Sequence, residues 1–204
     1  MPLSLDVILF IISTSVTPGP NNVMLVASGV NHGIRKSLPH LLGINVGFLL
    51  MLIVLCFGLG SVFETAPNLH LIIKVVGVTY LLYLAWLIAR TPTTTFEGGK
   101  ARPLTFHQAA VFQWVNPKAW VMITGAVASF TNQAAPIAPQ ILTITALFAI
   151  FGPPCGTIWL LGGASLKRLL QNPLYLKRFN VTMAVLLALS VRPVILELIR
   201  YGTQ

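Results

Sequence analysis

Val16-Thr17-Pro18-Gly19-Pro20-Asn21-Asn22 interrupts the apolar run that opens the chain, and Val115-Asn116-Pro117-Lys118 interrupts another just past its middle. Proline in a helix interior removes a backbone donor and clashes with the preceding turn. In hydrocarbon such a break survives only where protein or a wet cavity satisfies the freed backbone groups. Paired interruptions at corresponding places in two halves of a membrane chain point to a transport site near the bilayer midplane.

The rest of the sequence requires that solvent to be lipid. Of 204 residues, 55% are apolar and 8% charged, and the mean hydropathy is +0.83; a soluble domain carries about 25% charged residues. No Asp, Glu, Lys or Arg occurs from Val7 through Ile34, Ser37 through Phe63, Val75 through Ala89, or Ala119 through Ser165. Each stretch holds one or two segments of the roughly 20 residues that a bilayer core requires. The expected fold is an all-α membrane protein of six spans in one integral membrane domain over 1–204. The spans are Leu3 to Val30, Leu38 to Phe63, Leu69 to Ala89, Phe106 to Phe130, Ile137 to Ala164, and Phe179 to Ile199. Thr131-Asn132-Gln133, with Pro136 and Pro139, supplies the turn between the fourth and fifth. Met1 to Leu5 has no basic residue and the first apolar run is too long for a secretory signal, so this span is expected to stay in the mature chain.

Basic residues set an orientation. Arg35 and Lys36, then Arg90, Lys100 and Arg102, then Lys167, Arg168, Lys177 and Arg178 all fall in loops after spans one, three and five. The positive-inside rule then puts those loops in the cytoplasm and both termini outside. The net charge of +9 is accounted for by topology and by anionic lipid headgroups, without a nucleic-acid partner. Cys56 and Cys155 lie within apolar spans and read as small buried hydrophobes, with no metal role.

Aligning Val16-Thr17-Pro18 with Val115-Asn116-Pro117 lays spans one to three over spans four to six: repeat 1 over about 1–90, a cytoplasmic loop over about 91–105, and repeat 2 over about 106–204. Three spans per half is an odd number, so the repeats are inverted. Gly43 with Gly47, and Gly152 with Gly156, then fall in matching second spans; glycines four apart let backbones approach, and for Gly43 and Gly47 packing is the favoured role. Pro18 lies about 22 Å into its span and Pro117 about 16 Å into its own, at about 1.5 Å per residue. Past each break the chain offers a helix start, with Pro20 or Pro117 at the first position and Gly19 or Asn116 as cap. The two starts point their positive ends at a shared central region, which is expected to hold a substrate carboxylate.

Lys118 adds a full charge at a helix start, where the dipole favours an acid, and is the leading candidate for substrate or coupling contact; snorkelling to an interface is the plain alternative. Asn21, Asn22, Asn45 and Asn116 could contact polar groups of a ligand or satisfy backbone opened by the breaks; substrate contact is the expected role of Asn21, Asn22 and Asn116, and Asn45 is open between the two. Lys74 reads as snorkelling, and Arg192 could pair with Asp6 or Glu197 in a structural ion pair. No carboxylate falls at mid-membrane, so Asp6, His40, His107 or Lys118 are the available proton carriers.

These residues carry a resemblance. Thr17-Pro18-Gly19-Pro20-Asn21-Asn22, then His32-Gly33-Ile34-Arg35, then Gly77-Val78-Thr79-Tyr80-Leu81 with Trp86, then Phe106 through Gln113-Trp114-Val115-Asn116-Pro117-Lys118-Ala119-Trp120 resemble the LysE/RhtB family of bacterial amino-acid exporters over almost the whole chain. Ala85 stands where the family leads one to expect Gly. The resemblance implies a six-span inner-membrane exporter, with no cofactor, that moves amino acids or their derivatives outward at the expense of the proton gradient. The run after span one is similar to the cysteine and O-acetylserine branch. The acids are only Asp6, Glu64, Glu97 and Glu197, none central, so a cationic side chain would lack a buried counter-charge and a neutral or sulfur-containing substrate is expected. The expected partners are that substrate, protons and the bilayer, with a homodimer as the assembly to test. Two other classes remain at this stage: a two-repeat divalent-cation transporter, for which ligands are few, and an intramembrane enzyme, for which no His-Glu-x-x-His, Gly-x-Ser-x-Gly or acidic pair is present.

Overall fold

The computed structural model describes residues 2–59, 67–91, 102–132, 134–167, 169–170 and 172–202, and every regular element among them is helical. Glu64, Glu97, Lys100, Gln133 and Arg168 lie outside the described residues, as do the end of the second expected span and most of the expected 91–105 loop. The expectations for Lys74 and for an Arg192–Glu197 pair rest on side chains that are likewise outside them. The described elements are α1 (Pro2–Val16), α2 (Pro20–His32), α3 (Ile34–Val54) running on into a π-helical turn (Leu55–Leu59), α4 (Pro67–Ala89), and α5 (Phe106–Phe112) with a 3-10 turn (Gln113–Val115). Then come α6 (Pro117–Phe130), α7 (Ile137–Leu166), α8 (Pro173–Ser190) and α9 (Arg192–Gly202).

Among the described residues three stretches, Ile34–Phe57, Ile137–Leu166 and Pro173–Leu196, are long and apolar enough to cross a membrane. Helix α1 stops at Val16 and α2 starts at Pro20. Thr17 and Gly19 both precede prolines, which push a residue out of the helical region, and Gly19 is fully extended (φ −173°, ψ 177°). At the second interruption Asn116 precedes Pro117 and is extended (φ −85°, ψ 108°).

Two expected boundaries shift. Helix α3 begins at Ile34 rather than Leu38, because Gly33 adopts φ 77° and turns the chain so sharply that a new helix starts at once, with Arg35 and Lys36 in its first turn. Helix α8 begins at Pro173 rather than Phe179: the Asn172 side chain accepts from Leu174 N at 2.8 Å, and Lys177 and Arg178 are exposed on the helix instead of in a loop. In both places charges near the start of a helix had the composition of a loop.

Small residues set the closest crossings. A methyl group on Gly29 of α2 would sit 2.5 Å from Leu160 O of α7, and one on Gly163 would sit 2.3 Å from Val26 O. Gly43 and Gly47 of α3 likewise abut Phe106 O and Ala110 of α5. With no water to exclude between helices in lipid, van der Waals contact of this closeness is what holds them together. Three apolar clusters result. One joins α1, α3, α6 and α7 through Ile11, Phe48, Ile123 and Phe148; the second joins α2, α4, α5 and α8 through Val23, Leu81, Phe112 and Leu187; the third is a thin layer of Leu25, Leu41, Ile44, Ala109 and Leu160. Outward faces are apolar too: Leu5, Val121, Ile150 and Ile158 are each more than half exposed. A bundle that is hydrophobic all round is suited to lipid.

Candidate functional site

Both interruptions open onto one cavity of about 70 Å³. Its polar lining comes from Ser15 of α1, Asn21 and Asn22 of α2, Asn45 of α3, Asn116, and Lys118 of α6; Gly19 also lines it. Phe48 and Phe148, whose rings are 4.8 Å apart, lie at one boundary, and Leu25, Leu41 and Ile44 of the thin layer lie at another. No Asp or Glu is among the lining residues.

The exposed carbonyls at the end of α1 are all accepted into side-chain bonds. Thr17 Oγ1 donates to Ser13 O at 3.1 Å and Thr14 O at 2.7 Å. Asn22 Nδ2 donates to Ser15 O and Thr17 O, both at 2.8 Å, and Trp159 Nε1 reaches from α7 to Val16 O at 3.2 Å. Lys118 Nζ crosses from the second interruption to donate to the carbonyl of Thr17, and to its hydroxyl at 3.1 Å. The Asn22 amide nitrogen thus supports the backbone of the break, and the same residue lines the cavity, where substrate contact was expected of it. Gly19 makes room for the crossing: a methyl group there would lie 2.5 Å from Lys118 Cδ.

The second interruption is closed by other means. Asn116, 1% exposed, accepts at Oδ1 from Lys118 N at 3.1 Å, and its own carbonyl accepts from Ala119 N at 3.0 Å. Trp120 Nε1 donates to Trp114 O at 2.8 Å. First-turn amides of α6 are thus already paired, whereas the start of α2 has no side-chain cap and faces the cavity. The positive end available to an anion is the one after Pro20, together with the Lys118 ammonium.

Gln113 is a site residue that the sequence reading quoted but did not single out. It is fully buried, and its amide pairs reciprocally with Asn21: Asn21 Nδ2 donates to Oε1 at 2.8 Å, and Nε2 donates back to Asn21 Oδ1 at 3.2 Å. Nε2 also donates to Ala109 O at 2.9 Å. A polar residue inside the apolar run Phe112-Gln113-Trp114, one turn before the break, was the available signal. Asn45 donates to Leu41 O at 2.7 Å and keeps its oxygen toward the cavity, near Gly152.

Pro18 and Pro117 shape the interruptions without lining the cavity. Asp6, His107 and Arg192 are exposed and outside its lining. His40 is 2% exposed with neither ring nitrogen hydrogen-bonded, and it lines a second cavity. At the end of α2, burial and then the charges of Lys36 and Lys167 hold His32 below the usual histidine range.

A family model for LysE type translocators matches residues 12–200. The chain is 31% identical over 175 residues to the cysteine/O-acetylserine efflux protein of Escherichia coli (strain K12), which covers 85% of this chain and 88% of that protein. The same figures hold for the protein of that name from Shigella sonnei (strain Ss046), and the identity is 30% for that of Escherichia coli O6:K15:H31 (strain 536 / UPEC). No solved structure matches.

Proposed function

Because the chain belongs to the LysE type translocator family, we propose that it is a multi-pass inner-membrane exporter of neutral or sulfur-containing amino acids, or of close derivatives such as an acylated serine. The observation that carries this reading is the cavity between the two interruptions, which presents one ammonium, four carboxamides and no acid. A zwitterion enters such a site with its carboxylate toward Lys118 and the uncapped start of α2, and its ammonium toward the oxygens of Asn21 or Asn45. At about 70 Å³ the cavity has room for about two waters at liquid density, which favours a substrate of small size over lysine or arginine. The named substrates of the similar efflux proteins, cysteine and O-acetylserine, are of that size.

In this reading α1 with α2, and α5 with α6, are two spans broken near mid-membrane, and together with α3, α4, α7 and the α8–α9 pair they form six spans in two inverted repeats. Both termini face outward, so the end of the bundle carrying His32, Arg90 and Arg102 is cytoplasmic. Rocking of the repeats about the cavity gives alternating access, driven by the proton gradient. Lys118 plays two parts: it neutralises the carbonyls of the first interruption when the site is empty, and it binds the carboxylate when the site is filled.

Counterflow in proteoliposomes, with labelled cysteine, O-acetylserine, neutral and basic amino acids, tests this. Uptake of the small neutral or sulfur class, lost in Lys118→Ala while the variant remains folded in the membrane, is the expected result. Unchanged transport by Lys118→Ala refutes the carboxylate site, and movement of basic amino acids alone refutes the substrate class. Loss of uphill export in the presence of a protonophore checks the drive, and the mass of the purified complex in mild detergent checks for a homodimer.

A further inference from the structure

The second cavity is the larger, at about 370 Å³. It lies between the ends of α2 and α4, the start of α3 and the strand of chain that enters α5, and it is lined by His32, His40, Arg90 and Arg102, with no Asp or Glu among the described lining residues. Arg90 is held with its guanidinium 4.5 Å over the Trp86 ring, which also lines the cavity. Burial, and then the charges of Lys36 and Lys167, suppress protonation of His32 on this wall. His40 supplies an independent observation. It is 2% exposed, both of its ring nitrogens lack a hydrogen-bond partner, and it lines this cavity. Each ring nitrogen is a donor or an acceptor in either protonation state, and buried polar groups are nearly always paired. Both nitrogens are closed off from the cavity in this arrangement, so an oxygen acceptor brought in by a ligand would satisfy a ring N–H once the ring or its neighbours turn.

We propose that this cavity is a second, anion-recognising site that takes the carboxylate of an amino acid through Arg102, Arg90 and His40 before the substrate passes to the central cavity. The assignment rests on the exporter reading for its direction of use. The geometry makes the passage short: Leu104 lines this cavity and packs against the Leu25–Leu41 layer, and Leu25, Leu41 and Ile44 of that layer line the central one. The same apolar cluster thus borders both cavities. Substrate caught on its outer side is held by the guanidinium groups, that of Arg90 braced against Trp86, and it crosses only when the cluster opens.

Equilibrium binding of labelled cysteine to the whole protein in phosphatidylcholine nanodiscs tests the site, with Lys118→Ala as the background in which the central cavity is disabled. The Lys118→Ala protein is expected to retain cysteine binding. Adding Arg102→Gln should weaken that binding by about tenfold, the worth of one charge-assisted hydrogen bond, and Arg102→Lys should restore part of it. Cysteamine, which lacks the carboxylate, should not compete. Loss of all binding in Lys118→Ala alone, or residual binding indifferent to Arg102→Gln, overturns the proposal. If instead the wild-type protein holds phosphatidylglycerol by mass spectrometry, Arg102→Gln releases it and Lys118→Ala binds no cysteine, the occupant is a lipid headgroup and the amino-acid assignment fails. Binding that behaves as expected in a protein that moves no substrate would refute the exporter reading and leave the anion site standing.

Discussion

Gly162 and Gly163 are neighbours in α7, yet substituting each with alanine should have opposite effects. A methyl group on Gly162 meets nothing within 4 Å, whereas one on Gly163 would sit 2.3 Å from Val26 O and 2.8 Å from Val26 Cα in α2. A relaxed carbon–oxygen contact is about 3.3–3.6 Å, so Gly163→Ala forces α2 and α7 apart by about 1 Å. The obstruction is backbone, and no side-chain rotation relieves it. Overpacking of this kind costs about 1–3 kcal/mol, while the gain in helix propensity, up to about 1 kcal/mol, is common to both variants. Gly162→Ala should therefore be neutral or mildly stabilising, and Gly163→Ala should be less stable than it by about 1–3 kcal/mol. The same displacement strains the Trp159 bond to Val16 O, 3.2 Å in the native arrangement, and moves Leu25 and Gly156 at the central cavity, so counterflow should fall as well. Thermal unfolding in detergent and membrane abundance, measured for both variants and for Gly29→Ala on the facing helix, read the difference. Equal stability of Gly162→Ala and Gly163→Ala would refute the close α2–α7 crossing.

Asn22→Leu removes the donor to Ser15 O and Thr17 O and should cost about 1–3 kcal/mol for the carbonyl left unpaired; full stability in thermal unfolding would show that water can replace the amide. His40→Leu should do the reverse: it deletes a buried ring whose two nitrogens have no partner, raising stability by about 1–3 kcal/mol while weakening cysteine binding in the second cavity, and a lowered melting temperature would mean that the ring is paired in the native protein. His32 titrates below the usual histidine range through burial and the charges of Lys36 and Lys167. The unfolded chain then binds the extra proton first, so stability is intact above about pH 6.5 and declines as the pH falls through that value toward the folded-state one. His32→Gln should flatten that decline in pH-dependent melting, and Lys36→Gln should raise the histidine's titration toward its usual range by NMR.

The positions of the two interruptions were legible because proline acts locally. Thr17 and Gly19 before prolines, and Asn116 before Pro117, are excluded from the helical region whatever surrounds them, and the expected fourth-span limits Phe106 and Phe130 coincide with the start of α5 and the end of α6. What closes each break was not legible. Asn22 folds back onto α1, Asn116 caps forward onto α6, and Lys118 spans between the two, although all three are polar residues within two positions of a proline. Their roles depend on which donors face which carbonyls across 101 residues of sequence, and local pattern does not encode that. The Asn21–Gln113 pair escaped for the same reason, since it joins residues 92 apart. His40 in its second cavity was visible only as a histidine near a span end; its burial without a partner is a property of the packed bundle.

These internal bonds also bear on how a substrate would be held. With the cavity empty, Asn21 is bonded to Gln113, Asn22 to the end of α1, and Lys118 to Thr17, so these three side chains of the site are engaged before a ligand arrives. A zwitterion therefore exchanges one set of hydrogen bonds for another. It gains only the difference, about 0.5–1.5 kcal/mol for a neutral exchange and more where its charges replace neutral partners. On the exporter reading, that is the arrangement export requires: a site that binds tightly from the cytoplasm would not release outward, whereas one that re-forms its own bonds on release does not leave buried groups unpaired. The reciprocal Asn21–Gln113 pair is then the resting state of the site. Replacing Gln113 with leucine should leave Asn21 free to bind substrate, lowering the half-saturating concentration in counterflow while slowing release and the maximal rate. A fall in both affinity and rate would show instead that Gln113 contacts the substrate itself.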